Sequence, residues 1–245
     1  MKHLIEVCAG SVEDCIIATQ CHAHRIELNS ALHLGGLTPT VGTLVNAKKQ
    51  TTLPILTMIR VRAGGFHYTE TEIETMYLDA VTCLDHGADG LVFGFLNEDA
   101  TIDKNTTKRF VNLCHRYQKE AIFHRAFDCV KDSFEACEGL IECGVDRILT
   151  SGLKASAPEG IATLKALKDR FSDAIEFCIG AGVNASNARG LIEQTGISQL
   201  HGSFKGWFSD PTTQGDFVTY RYSDLGDYEG VDASKLRATL DAFKD

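Results

Sequence analysis

The segment AIFHRAFD, residues Ala121–Asp128, passes from apolar Ala121, Ile122 and Phe123 into His124, Arg125 and Asp128. An imidazole, a guanidinium and a carboxylate within five positions can move a proton and hold an anion. His124 and Asp128 are an even number of positions apart, so in an extended chain they point the same way. A histidine beside a carboxylate suits a general base or a metal ligand. Other apolar runs carry polar residues in a similar way: Glu6 in LIEVC, Glu27 in RIEL, Arg60 and Arg62 in MIRVR, and His201 in SQLHGS. The residue types predict acid–base work for Glu6, Glu27, His124, Asp128 and His201. They predict an anion clamp, for a carboxylate or a phosphate, from Arg60 and Arg62 with Arg125 close by.

Such residues act together only if the fold gathers them. Eight short apolar runs can be read along the chain: 4–8, 25–28, 55–60, 90–96, 121–127, 147–152, 175–182 and 198–203. Helix-like stretches separate them, at 12–21, 40–49, 70–86, 104–118, 133–143, 158–171 and 184–195, with a last one at 233–243. Start signals stand at Ser11, Thr69, Ser133 and Asn184, and Gly87, Gly144 and Gly196 close helices before the next strand. Eight repeats of strand then helix predict an α/β fold, a single-domain TIM (β/α)8 barrel over residues 1–245, with an irregular region at about 204–232. A doubly wound open sheet is the alternative, but no G-x-G-x-x-G opens a helix.

Alternation along the strands then sorts the side chains. Ile5 and Val7 oppose Glu6 and Cys8; Ile26 and Leu28 oppose Arg25, Glu27 and Asn29; Phe177 and Ile179 oppose Glu176, Cys178 and Gly180. The apolar set is expected to face the helices. That turns Glu6, Glu27, Arg60, His124 and His201 toward the barrel axis, with Arg62 and Asp128 at strand C-terminal ends, where active sites of this fold lie. The same charges could instead neutralise one another as a purely structural network. Small residues end the last strands: Ser151 and Gly152 in TSG, Gly180 and Gly182 in GAG, and HGS at 201–203. They would let backbone N–H groups approach a phosphate, or simply permit tight turns.

Composition limits the partners. The net charge is −9 and no Lys/Arg run stands out, which argues against nucleic acid or an anionic membrane. Nine scattered cysteines without a C-x-x-C fit free thiols in a reducing, cytoplasmic compartment. The start MKHLIEVCAG is broken by Glu6 and does not read as a signal peptide, and no apolar stretch is long enough to span a bilayer.

Two places invite a metal. CHAH (21–24) closes one helix and opens the next strand, so Cys21, His22 and His24 should diverge. Cys8, at the end of strand one and facing the axis, is the better candidate, because a soft thiolate suits Cu(I). The matching position on strand two is Asn29, and Cys178 is expected to lie deeper.

Taken in order, IEVC, RIEL, GGLTPT, MIRVRAGGFHY, GLVFGFLNEDATID, FHRAFD, GVDRILTSG and GAGV resemble the CutC family of copper homeostasis proteins, from about residue 4 to about 203. The resemblance implies a TIM-type barrel, a cytoplasmic location, a homo-oligomer (dimer or tetramer), and copper tolerance through Cu(I) held by cysteines. Cys8 matches the family's strand-one cysteine, and Asn29 stands where many members carry the second. Two functions are therefore expected: a copper homeostasis protein binding Cu(I) through Cys8, or an enzyme acting on a small anionic or phosphorylated metabolite. A barrel serving only as an oligomeric scaffold would leave the inward charges unexplained.

Overall fold

Every expected strand forms: the first runs one residue longer than expected, the second keeps its bounds, and the other six stop short at the C-terminal end. In a computed structural model that describes residues 3–244, the strands are β1 (Leu4–Ala9), β2 (Arg25–Leu28), β3 (Ile55–Met58), β4 (Gly90–Phe93), β5 (Glu120–Phe123), β6 (Arg147–Thr150), β7 (Glu176–Ile179) and β8 (Gln199–Gly202). The start of the MKHLIEVCAG stretch and Asp245 lie outside the described residues. The strands pair in parallel in sequence order, and β8 closes onto β1 through Leu4–Gln199, Ile5–Leu200, Glu6–His201 and Val7–Gly202. This is a TIM barrel.

Helices follow the strands: α1 (Val12–Gln20), α2 (Val41–Gln50), α3 (Glu70–Asp85), α4 (Lys104–Arg116), α5 (Ser133–Cys143), α6 (Ile161–Phe171), α7 (Ala188–Thr195) and α8 (Ala233–Asp241). Ser11 caps α1 by accepting from Asp14 N, and Thr69 forms a capping box with Glu72 at α3. Two of the expected start signals do not cap their helices. Asp132, not Ser133, caps α5. Asn184 accepts from Ser186 N and makes a turn, so α7 begins only at Ala188.

The stretch expected to be irregular contains a two-stranded antiparallel sheet, β9 (Lys205–Phe208) and β10 (Tyr228–Val231). Aromatic and β-branched residues flank a long polar excursion there, and the pairing becomes visible only across some twenty positions of chain. No helix among the described residues is long and apolar enough to cross a membrane.

The main core lies between barrel and helices, with Ile5, Val7, Ile26, Leu28, Phe93 and Phe123 in it. A separate small cluster, Leu56, Met58, Val92 and Ile122, occupies the interior of the barrel on the β3–β5 side. Gly90 makes room for it, because a Cβ there would stand 2.7 Å from Leu56 Cδ2. The interior is thus divided: β3–β5 supply apolar side chains, while β1, β2, β6 and β8 supply charged ones.

Candidate functional site

The charged half is built from the strand registers. Glu6 pairs across the sheet with Arg25 on one side and His201 on the other, and Cys8 pairs with Glu27. Near the N-terminal ends of the strands, Glu6 forms an ion pair with Arg25, whose other arm reaches Gln199 Oε1 at 2.8 Å. Arg147, also buried, bridges Glu120 and Glu176 at 3.0 Å each. These arginines sit opposite the end where loops could admit a ligand, so they close the barrel floor and compensate its acids. Arg147 was missed by the sequence reading. Its signal was the same alternation that places Leu149 inside.

Glu6 Oε1 also meets His201 Nδ1 at 2.7 Å, carrying the network upward. Burial favours the neutral form of Glu6, but Arg25 and His201 outweigh it and hold the carboxyl far below its ordinary value. Burial likewise opposes charge on His201, yet Glu27, Cys8 and Glu6 raise its pKa well above 6.5. Glu27, unlike Glu6, is raised, by burial first and then by the Glu6 charge. Burial pushes the Cys8 thiol up against the pull of His201.

Ligand atoms of Cys8, Glu27 and His201 all lie within 4.8 Å of one another, the one group of this kind among the described residues. Asn29 binds the group together, donating its Nδ2 to Glu27 Oε1 at 2.9 Å and to Cys8 Sγ at 3.5 Å. Cys21, His22 and His24 form no such cluster; His24 Nδ1 accepts from Ile5 N.

Above this group opens a cavity of about 330 Å³, lined by Cys8, Glu27, Asn29, Arg60, Phe66 and His124. Arg60 is buried, and its guanidinium donates to the carbonyls of Leu34, Gly36 and Gly64 at 2.6–3.2 Å. It therefore clamps the loops after β2 and β3 together. Burial pushes the nearby Tyr68 hydroxyl up, against the pull of the Arg60 guanidinium. His124 packs against Phe66 with ring centroids 5.0 Å apart, and its Nδ1 accepts from Ala126 N at 3.1 Å. Burial, aided by the Arg60 charge, pushes His124 down to about 3, so it is neutral near pH 7. Gly94 provides its berth.

Two of the predicted residues hold the rim instead of lining the cavity. Asp128 accepts from Thr150 Oγ1 at 2.6 Å, Ser151 N at 3.0 Å and Leu153 N at 3.1 Å, so it fixes the loop after β6. It also receives Arg125 Nε at 2.8 Å, while Ser151 Oγ accepts from Arg125 Nη2, which poises Arg125 at the mouth. Arg62 turns away: its guanidinium pairs with Glu72 and lies over Tyr68, outside the cavity. The even spacing of Arg60 and Arg62 suggests a shared direction, but the strand ends at Met58 and alternation ends with it.

The glycines divide similarly. Gly152, at φ +74°, lies where a Cβ would collide with the Gly160 backbone, so it packs two loops together. Gly180 lies beneath Leu149 and His201. Gly182 borders a second cleft of about 570 Å³, which the loops after β7 and β8 form with α8 and which shares Cys8, Arg125, His201, Ser203 and Lys205 with the first. Ser203 belongs to the HGS stretch expected at the mouth, whereas Lys205 carries no signal in the sequence, because it follows the last barrel strand.

A CutC family profile matches residues 3–206. A CutC family protein of Treponema denticola is 42% identical over 221 residues, covering 90% of this chain and 89% of the relative. A mouse protein named copper homeostasis protein cutC homolog is 42% identical over 198 residues, 81% of this chain and 72% of the relative. Among solved structures, a CutC protein of Streptococcus agalactiae aligns with TM-score 0.78 and 29% identity, over 82% of this chain and 99% of that one.

Proposed function

This chain belongs to the CutC family, and we propose that it serves copper homeostasis by holding Cu(I) at the barrel mouth between Cys8 and His201. The carrying observation is the convergence of Cys8, Glu27 and His201 within 4.8 Å. A thiolate and an imidazole are suitable donors for Cu(I); the carboxylate of Glu27 is too hard to be a strong one. Glu6 occupies His201 Nδ1 and so presents Nε2 to the ion. With Asn29 in place of a second thiolate, the site supplies one sulfur. Binding then releases two protons, that of Cys8, which burial makes harder to remove, and the one that the neighbouring acids hold on His201 Nε2, and affinity rises with pH.

Anaerobic titration with Cu(I) against a chromogenic chelator tests this reading. One equivalent should bind, and Cys8→Ser should weaken binding by at least about tenfold. Unchanged stoichiometry and affinity in that variant would remove Cys8 from the site. Nine free cysteines fit a cytoplasmic, reducing setting. We also infer a homo-oligomer, dimer or tetramer, which light scattering would refute by a monomer mass.

A second reading has its own observation. The buried Arg60 donates to three carbonyls, lies over the Phe66 ring and pairs with no carboxylate among the described residues, so it adds uncompensated positive charge beside a cavity. On this reading the protein is an enzyme for a small anionic or phosphorylated metabolite. Arg60 and Arg125 attract the anion, Glu27 or His124 moves a proton, Glu6 and Asp128 position their neighbours, and the glycine loops near Gly182 admit a phosphate. A thermal-shift screen with small anions tests it, and the idea fails if no anion raises the melting temperature.

A further inference from the structure

The copper reading leaves the barrel mouth short of sulfur. Asn29 Nδ2 donates to Cys8 Sγ at 3.5 Å, where a second thiolate would complete the soft donor pair that suits Cu(I). The other members of the group are an imidazole and a carboxylate. Cys178 is buried in β7, and no cysteine besides Cys8 lines either cavity at the mouth. A second sulfur therefore has to come from outside the chain.

The larger cleft opens onto the one sulfur available. Cys8 and His201 both line it, and Cys8 is the member of the metal-ligating group that is not fully buried. Its volume of about 570 Å³ falls within the range of about 300–1,000 Å³ for small-molecule sites. Its charge runs against that of the whole protein. The net charge of the chain is −9, yet Arg125, Lys205 and Lys235 line the cleft and no Asp or Glu does. Each cation is also tethered from within: Arg125 by Asp128, Lys205 by Glu229, and Lys235 by the Lys205 carbonyl at 2.6 Å. These contacts leave hydrogens to spare, because a guanidinium carries five and an ammonium three. Val183, Phe204 and Ala238 add apolar surface for a carbon skeleton.

We propose that this cleft binds a small thiol bearing carboxylates, whose sulfur joins Cys8 in holding Cu(I) while its carboxylates face Arg125, Lys205 and Lys235. This rests on the copper reading and names the partner of that site. The ligand thiol and the Cys8 thiol each give a proton to solvent as two sulfur–copper bonds form. Copper stays Cu(I) throughout, so the step needs neither oxidant nor reductant. An uncharged thiol leaves the three cations unused, and a carboxylate without sulfur leaves Cys8 as the lone thiolate.

The test uses the full-length protein, loaded anaerobically with one equivalent of Cu(I), and three probes. These are glutathione, 2-mercaptoethanol, and ophthalmate, which carries a methyl group in place of the glutathione thiol. Equilibrium dialysis should retain one glutathione per copper, at least about tenfold more tightly than either other probe. X-ray absorption at the copper edge should count two sulfurs with glutathione and one with ophthalmate. Lys235→Gln should weaken glutathione retention about tenfold and narrow its lead over 2-mercaptoethanol. Copper left on one sulfur, or stripped from the protein by glutathione, overturns the proposal and leaves the copper reading standing. Equal retention of glutathione and 2-mercaptoethanol overturns the part given to the three cations, and equal retention of glutathione and ophthalmate overturns the part given to the ligand sulfur. No copper on the protein with or without a probe overturns both readings. The wild-type series decides among these outcomes whether or not the variant folds.

Discussion

Glu6 Oε1 lies 2.7 Å from His201 Nδ1 inside the barrel, and the same carboxylate holds Arg25. One side chain thereby connects the structural floor to the mouth. It neutralises an arginine below and chooses the ring nitrogen offered above. On the proposed copper reading, stability and binding are coupled through it.

Glu6→Gln leaves Arg25 buried without its counter-charge. The expected loss is about 3–5 kcal/mol in urea denaturation. Cu(I) affinity should fall about 10- to 100-fold, because His201 loses its orienting partner. A variant with wild-type stability and wild-type Cu(I) binding would show that Glu6 does neither job.

His124 gives an acid limb. Its folded pKa is depressed to about 3 from 6.5, so the native protein keeps it neutral while the unfolded chain takes up a proton below about 6.5. Its contribution is complete above that value and is lost as pH falls toward 3. Between pH 7 and 5 the loss from this group is about 2 kcal/mol. Urea melts of wild type and His124→Gln at both pH values should differ in slope by that order; parallel pH profiles would contradict a buried neutral histidine.

Gly94→Ala tests the berth. The new Cβ would stand 2.5 Å from His124 Cε1 and Nδ1 and 2.8 Å from the Ala126 Cβ, so something must move. A cost of about 1–3 kcal/mol is expected. Gly65→Ala, where nothing lies within 4 Å, is the control and should stay within about 0.5 kcal/mol. Similar melting temperatures for the two variants would show that the His124 ring is not confined there.

Asn29→Cys would give the mouth a second thiol, next to Cys8, whose sulfur lies 3.5 Å from Asn29 Nδ2. Two thiolates suit Cu(I) better than one, so affinity should rise at least about tenfold. Unaltered affinity would mean that copper, if bound, sits elsewhere.

The barrel was legible because its signals are local. Apolar runs of strand length, caps such as Ser11 and Thr69, and closing glycines such as Gly144 each state their element within a few residues. Alternation also pointed Glu6, Glu27 and His201 inward, since strand geometry fixes a period of two. It lost authority where strands stop, and so Arg60 and Arg62, two positions apart, have separate fates. Asp128 reads in sequence as chemistry beside His124, yet its carboxylate is taken up by the backbone and hydroxyls of the loop after β6.

What the sequence determined by itself is the kind of fold and which side chains leave the helix-facing side of each strand, because both follow from hydrophobic period and short-range caps. Tertiary structure alone decided which polar groups meet. Ring closure between β1 and β8 brings His201 to Glu6, though 195 positions of chain separate them. Register sets Cys8 beside Glu27, and loop packing ties up Arg62 while leaving Arg60 at the cavity. Partner choice depends on distances of a few ångströms between remote residues, and such distances exist only after the barrel has closed.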